Sequence, residues 1–118
     1  MRKISKQVVG AFLDGRSKSV ANTWTDGQVL RLHGHVIAWR DRNKILISTC
    51  GYHTPTTKER LNALLELMRN TCRYKMNIYK IRQIDFSFVY MEPSGDVKPF
   101  RDGIIAGEMT DMTQLIGC

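Results

Sequence analysis

Basic and aromatic side chains alternate in two segments of this 118-residue sequence. The first segment, residues 39–44, reads WRDRNK and places an indole beside three cations around one expected turn. The second segment, residues 69–82, interleaves cations with tyrosines. Cations can pair with phosphates while aromatic faces stack on bases, and the same residue types dominate protein-binding hot spots. The candidate partner-binding residues are therefore Trp39, Arg40, Arg42, Lys44, Arg73, Tyr74, Lys75 and Lys80.

The charge of the chain is unevenly distributed. Its net charge is +7, and residues 1–82 hold 16 basic and 5 acidic side chains, whereas residues 83–118 hold 2 basic and 6 acidic ones. This asymmetry favours an acidic partner for the first part, either a nucleic acid or a protein or nucleoprotein with an acidic surface. A third interpretation involves no such partner: the aromatic rings pack in the core and the cations are only solvated. We expect the cations of both segments on one side of the molecule and the acidic C-terminal third elsewhere.

Histidine and cysteine side chains cluster in the middle of the sequence. His33 and His35 flank Gly34, and Cys50 precedes His53 by three positions. This spacing matches no strong zinc signature, and neither an oxyanion element nor a glycine-rich phosphate loop accompanies the cysteine and histidine. We therefore expect no catalytic residue, no metal and no cofactor, and a protein that acts by binding rather than by catalysis.

Two helices are predicted to position these groups. Residues 6–14 form the first helix, with Ser5 as its N-cap. Residues 57–69 form the second, because Thr56 and Glu59 have the spacing of a capping box. The second helix also carries apolar side chains that follow the i, i+3, i+4, i+7 rule and form one buried stripe. These side chains are Leu61, Leu64, Leu65 and Met68.

Alternating hydrophobicity and turn residues predict a set of antiparallel strands. The predicted strands lie at 20–24, 28–33, 36–40, 44–49, 76–82 and 86–91. Residues 92–118 are expected to form an irregular C-terminal extension, with a short strand or a terminal helix near 109–116 as the alternatives. The prediction is thus a single α+β domain over residues 1–118. Its five- or six-stranded, mostly antiparallel sheet consists of a meander and a hairpin, and two helices cover it.

Several segments make the sequence resemble a family of small proteins encoded by tailed bacteriophages. The resemblance rests on ISK at 4–6 with AF at 11–12, LRLHGHVIAWR at 30–40, ISTCGY at 47–52 and TTKERLNAL at 56–64, with weaker similarity at 81–90. The leucine-histidine-glycine hairpin and the helix start of the third segment are its most specific parts. The resemblance implies phage origin and action in the cytoplasm of an infected bacterial cell. The resemblance implies no catalytic residues for this chain.

Together these observations predict a small, non-enzymatic phage protein that binds a host component, either a defence complex or nucleic-acid machinery, and interferes with it. Direct nucleic-acid binding through the basic face is the alternative. No run of apolar residues approaches the roughly 18 that a membrane span needs, and the N-terminal segment lacks the pattern of a signal peptide. Three cysteines leave at least one thiol unpaired, and without an export signal we expect reduced thiols.

Overall fold

The computed structural model describes residues 2–110, in which two helices and ten strands form an α+β fold. The elements are α1 (Lys3–Leu13), β1 (Lys18–Val20), β2 (Thr23–Thr25), β3 (Val29–Leu32), β4 (His35–Asp41), β5 (Lys44–Ile47), α2 (Pro55–Thr71), β6 (Tyr74–Met76), β7 (Lys80–Ile84), β8 (Ser87–Met91), β9 (Val97–Pro99) and β10 (Ile104–Met109). Seven strands form an antiparallel sheet in the order β1-β2-β3-β4-β5-β10-β6, and β7-β8-β9 form a second sheet. The α+β class is confirmed, but five or six strands were too few.

Two of the predicted strands are each divided in the structure. The segment 20–24 contains a tight hairpin, because Ala21 takes a φ of 54° and Val20 pairs with Thr23. The segment 76–82 is divided because the chain crosses from one sheet to the other. Asn77 N–H donates to the Ala106 carbonyl, and two residues later the chain is bonded to β8 of the second sheet. The meander of β3, β4 and β5 follows the predicted order.

The C-terminal third contributes an internal strand to the seven-stranded sheet. β10 lies between β5 and β6, and β9 pairs with β8. The expectation of an irregular extension from residue 92 is therefore wrong for these two strands. A register shift between Ile105 and Gly107 breaks the two-residue alternation in β10, so the periodicity of a strand is not visible in its sequence. The alternative of a terminal helix near 109–116 falls mostly outside the described residues.

Both helices begin earlier than predicted. α1 begins at Lys3, and Ser5 lies inside the helix as a fully buried residue rather than at its N-cap. α2 begins at Pro55, because the Thr54 hydroxyl accepts a hydrogen bond from Thr57 N–H at 3.2 Å and proline suits the first helical position. The apolar stripe of α2 is confirmed, since all of its members have 0% exposure: Leu61, Leu64, Leu65 and Met68.

A buried arginine joins the helices to the sheet. Arg60, on α2, is 2% exposed, and its Nε donates to the Thr23 hydroxyl on β2 at 2.9 Å. Its Nη1 donates to the Ser5 hydroxyl on α1 at 2.9 Å and forms an ion pair with Glu59. Because a buried cation needs all of these partners, the cluster fixes how α1 and α2 sit on the strands.

The helices cover one face of the seven-stranded sheet. Leu30, Ile45 and Ile47 point into this core with 0% exposure. On β10, a Cβ added to Gly107 would lie 2.8 Å from Met68 Cε, so α2 packs directly against that strand. Neighbouring residues along each strand point to the opposite, outer face. No helix within residues 2–110 is both long enough and apolar enough to cross a bilayer.

Candidate partner-binding surface

The strand order brings the two basic segments to the same end of the large sheet. The first segment contains the turn between β4 and β5, and the second contains β6 followed by the start of β7 in the other sheet. β10 lies between them, and Glu108 is the direct cross-strand partner of both Lys44 and Lys75. Side chains at directly paired positions share a face of the sheet, so these three residues form a cation–carboxylate–cation row. The adjacent residues Ile45 and Gly107 face the helices, which places the row on the outer face.

An apolar row lies next to this charged row. Leu46, two residues from Lys44 on the same strand, is the direct partner of Trp39 on β4 and of Ile105 on β10. All three apolar side chains are half-buried. We define the outer-face site as the charged row and the apolar row together with two exposed flanking arginines, Arg42 and Arg73.

Backbone hydrogen bonds hold the flanking arginines beside the last residues of β10. Asn43, next to Arg42, accepts a hydrogen bond at its carbonyl from Met109 N–H at 2.6 Å. The Arg73 carbonyl accepts from Thr110 N–H at 2.8 Å. The backbones of the two arginines are therefore positioned on either side of one strand. Their side chains remain in solvent.

Three other residues that were predicted to bind a partner do not belong to the outer-face site. Arg40 is half-buried, and its Nη2 donates to the Phe12 carbonyl at 2.7 Å, so it fastens the end of α1 to β4. Tyr74 is half-buried and packs against the core. Lys80 opens β7 in the second sheet, beside Tyr79, whose ring lies 4.3 Å from the Arg69 guanidinium carbon. The crossover thus separates Lys80 from the outer-face site.

Three acidic residues of the C-terminal third, all within the described part of the chain, have different surroundings. Glu108 lies between two of the candidate cations, so the expectation of a separate acidic region is wrong there. Asp102 accepts a hydrogen bond from Thr49 N–H at 2.9 Å. Glu92 lies 2.6 Å from Lys98 Nζ, and this hydrogen bond raises the pKa of Lys98 above its ordinary value.

A second basic surface was not singled out from the sequence. The polar side of α1 and the chain leading into β1 form a groove of about 660 Å³. Its cations, which define the α1 groove, are Lys3, Lys6, Arg16 and Lys18. Asp14 in the same groove pairs with Arg16 at 3.1 Å. The helical spacing of Lys3 and Lys6 indicates a polar face, but only the fold brings the other two cations to it.

The histidine and cysteine side chains do not converge. Cys50 is a free, exposed cysteine whose Sγ donates to the Val36 carbonyl at 2.9 Å. The His53 ring stacks on Phe88 at 4.5 Å, and its Nδ1 accepts from Phe88 N–H at 3.3 Å. Within residues 2–110, no group of three or more histidine, cysteine or acidic side chains could hold a metal ion. Cys72 is disulfide-bonded, so the expectation of reduced thiols is wrong for that residue.

Comparison with known proteins identifies the family of the chain. The family model described as Kyanoviridae Gp96 protein matches residues 1–107, which is most of the sequence. The comparison with curated proteins gave no match, and neither did the comparison with solved structures. The chain therefore belongs to the Kyanoviridae Gp96 family, a family of bacteriophage proteins.

Proposed function

We propose that this phage protein is a non-enzymatic binding protein that engages an acidic surface of a host protein in the cytoplasm of the infected cell and interferes with that protein. The observation that carries the proposal is the outer-face site. It places a tryptophan and other apolar side chains next to a row in which two lysines flank a carboxylate, on the sheet face that the helices do not cover. Tryptophan and arginine are enriched in the residues that dominate protein–protein affinity.

The position of Glu108 favours a protein over a nucleic acid at this site. A nucleic-acid backbone presents only negative charge, so a carboxylate between Lys44 and Lys75 would repel it. A protein surface can place a cation opposite Glu108 and carboxylates opposite the flanking residues. Such electrostatic complementarity speeds association and excludes partners with the wrong charge pattern.

The test compares capture of a host protein by the full-length chain and by a Trp39→Ala variant. Wild-type protein on a resin is expected to retain one host protein at moderate salt, and the purified partner should bind the variant at least about tenfold more weakly. Thermal unfolding of the variant checks that the half-buried tryptophan is not needed for the fold. A folded Trp39→Ala variant with unchanged affinity would contradict the proposal.

Direct nucleic-acid binding is the second candidate function, and the α1 groove supports it. Four cations line this concave surface, and its carboxylate is already paired with Arg16. Retention on DNA and heparin through a salt series tests this candidate, because phosphate binding weakens steeply as salt rises. Lys3→Glu combined with Lys6→Glu should abolish the retention, whereas Trp39→Ala should leave it unchanged.

A further inference from the structure

A cavity of about 350 Å³ lies between the β3–β4 hairpin, the loop after β5 and the first turn of α2. Small-molecule sites have volumes of roughly 300–1,000 Å³, so this one suits a ligand with one or two rings. Its floor is apolar, because Leu32 is 4% exposed and Ile37 is 1% exposed. The cavity belongs neither to the outer-face site nor to the α1 groove.

Two aromatic rings form one wall of the cavity. The rings of His35 and Tyr52 lie 4.6 Å apart with an interplanar angle of 34°. Tyr52 is 51% exposed, so much of its surface is open to solvent. An exposed aromatic ring at the edge of an apolar cavity offers a stacking surface for a planar ring.

Threonine hydroxyl groups also line the cavity. The Thr54 and Thr57 hydroxyls are 3.0 Å apart and hold each other in place at the start of α2. The half-buried Thr56 is next to them in the lining. Neither a carboxylate nor a lysine or arginine lines the cavity. Apart from the imidazoles of His33 and His35, its polar side chains are threonine and tyrosine hydroxyls, which can donate to and accept from the edge of a heterocycle.

We propose that this cavity binds a nucleobase, with its ring against Tyr52 and its edge toward the threonine hydroxyls. Stacking on an aromatic ring tolerates different bases, whereas hydrogen bonds to their edges select among them. The base can belong to a free nucleotide or to a single-stranded nucleic acid. Both sources present the same planar heterocycle to the cavity.

The experiment titrates the full-length chain with the four common ribonucleoside monophosphates, with ribose 5-phosphate and with a short single-stranded oligonucleotide, followed by NMR shifts of the lining residues. At least one base-containing ligand should bind saturably, and ribose 5-phosphate should not. Tyr52→Ala should weaken binding by about tenfold, as expected for the loss of one base-stacking contact. Tyr79→Ala is the matched control, because Tyr79 is a similarly exposed tyrosine outside the cavity.

The two sources of the base are separated by comparing the ligands. If mononucleotides bind and Tyr52→Ala weakens that binding, the ligand is a free nucleotide. Binding of the oligonucleotide alone, also weakened by Tyr52→Ala, assigns a base within a strand. The proposal is overturned if no base-containing ligand binds, if ribose 5-phosphate binds equally well, or if a folded Tyr52→Ala variant binds unchanged. Thr56→Phe, which fills the cavity from a half-buried position, must also block binding.

Discussion

Lys44 and Lys75 are separated by a single strand, and Glu108 on that strand is the direct cross-strand partner of both. Opposite charges at paired positions stabilise a sheet modestly, whereas like charges at such positions destabilise it. Reversing the charge of either lysine would therefore place two carboxylates side by side. Arg42 and Arg73, which flank the row without being paired to Glu108, are the better positions for testing the charge of the outer-face site.

The stripe of α2 is expected to contribute strongly to stability. Leu64 and Leu65 are 0% exposed, so truncating either one to alanine removes buried methyl groups and leaves a cavity. Each substitution should lower the free energy of unfolding by about 2–5 kcal/mol, as measured by urea denaturation. Glu66→Ala is the control, because Glu66 is exposed on the same helix and its replacement should change stability by no more than about 0.5 kcal/mol. Equal effects at positions 64 and 66 would contradict the observed packing.

Gly27 and Gly34 provide a matched pair of glycine substitutions. Both have positive φ, of 93° and 81°, so alanine costs backbone strain at each. A Cβ on Gly27 would also lie 2.5 Å from the Gly15 carbonyl oxygen, whereas a Cβ on Gly34 meets nothing within 4 Å. Gly27→Ala should therefore destabilise the protein by about 1–3 kcal/mol more than Gly34→Ala. Similar unfolding midpoints for the two variants would show that the Gly15–Gly27 contact is not tight.

Asp26 should make the stability of the protein depend on acid pH. Its Oδ1 accepts hydrogen bonds from Gln28 N–H at 2.8 Å and Val29 N–H at 3.0 Å, and these bonds lower the pKa of the carboxyl below its ordinary value. Because the folded-state pKa is the lower one, the stabilisation is fully present above the unfolded-state pKa. It is lost as pH falls through the folded-state pKa.

Urea midpoints measured from neutral pH down to about pH 3 test this dependence. Asp26→Asn keeps a side-chain acceptor but cannot titrate, so the difference in stability between wild type and variant should shrink as pH falls. A difference that stays constant or grows on acidification would show that the Asp26 carboxylate does not stabilise the turn.

The sequence was informative wherever periodicity and turn chemistry agreed. The stripe of α2 and the order of β3, β4 and β5 were predicted correctly, because local spacing alone determines them. The predicted starts of both helices were wrong. Ser5 was expected to cap α1 and Glu59 to complete the capping box of α2, but both side chains instead form hydrogen bonds with the buried Arg60. A long-range polar cluster of this kind leaves no periodic signal.

The outer-face site could be predicted only in part. The cations were visible as clusters in the sequence, but their shared location depends on β10, whose bulge hides its strand periodicity. The insertion of that strand between β5 and β6 brings Glu108 into the site and could not be deduced from local pattern. The structural role of Arg40 could not be predicted from the sequence either, because its side chain donates to the backbone carbonyl of Phe12, 28 residues away.

The most direct test of the central claim is the affinity of the purified host partner for an Arg42→Glu, Arg73→Glu double variant. Arg42 has a φ of 58°, and arginine and glutamate are equally strained there, so the fold should persist. Lys80→Glu combined with Arg82→Glu changes the net charge equally, at exposed positions of the second sheet. We predict that the first variant binds the partner at least about tenfold more weakly than wild type, while the second stays within about threefold. Equal affinities of the two double variants would contradict a binding function for the outer-face site.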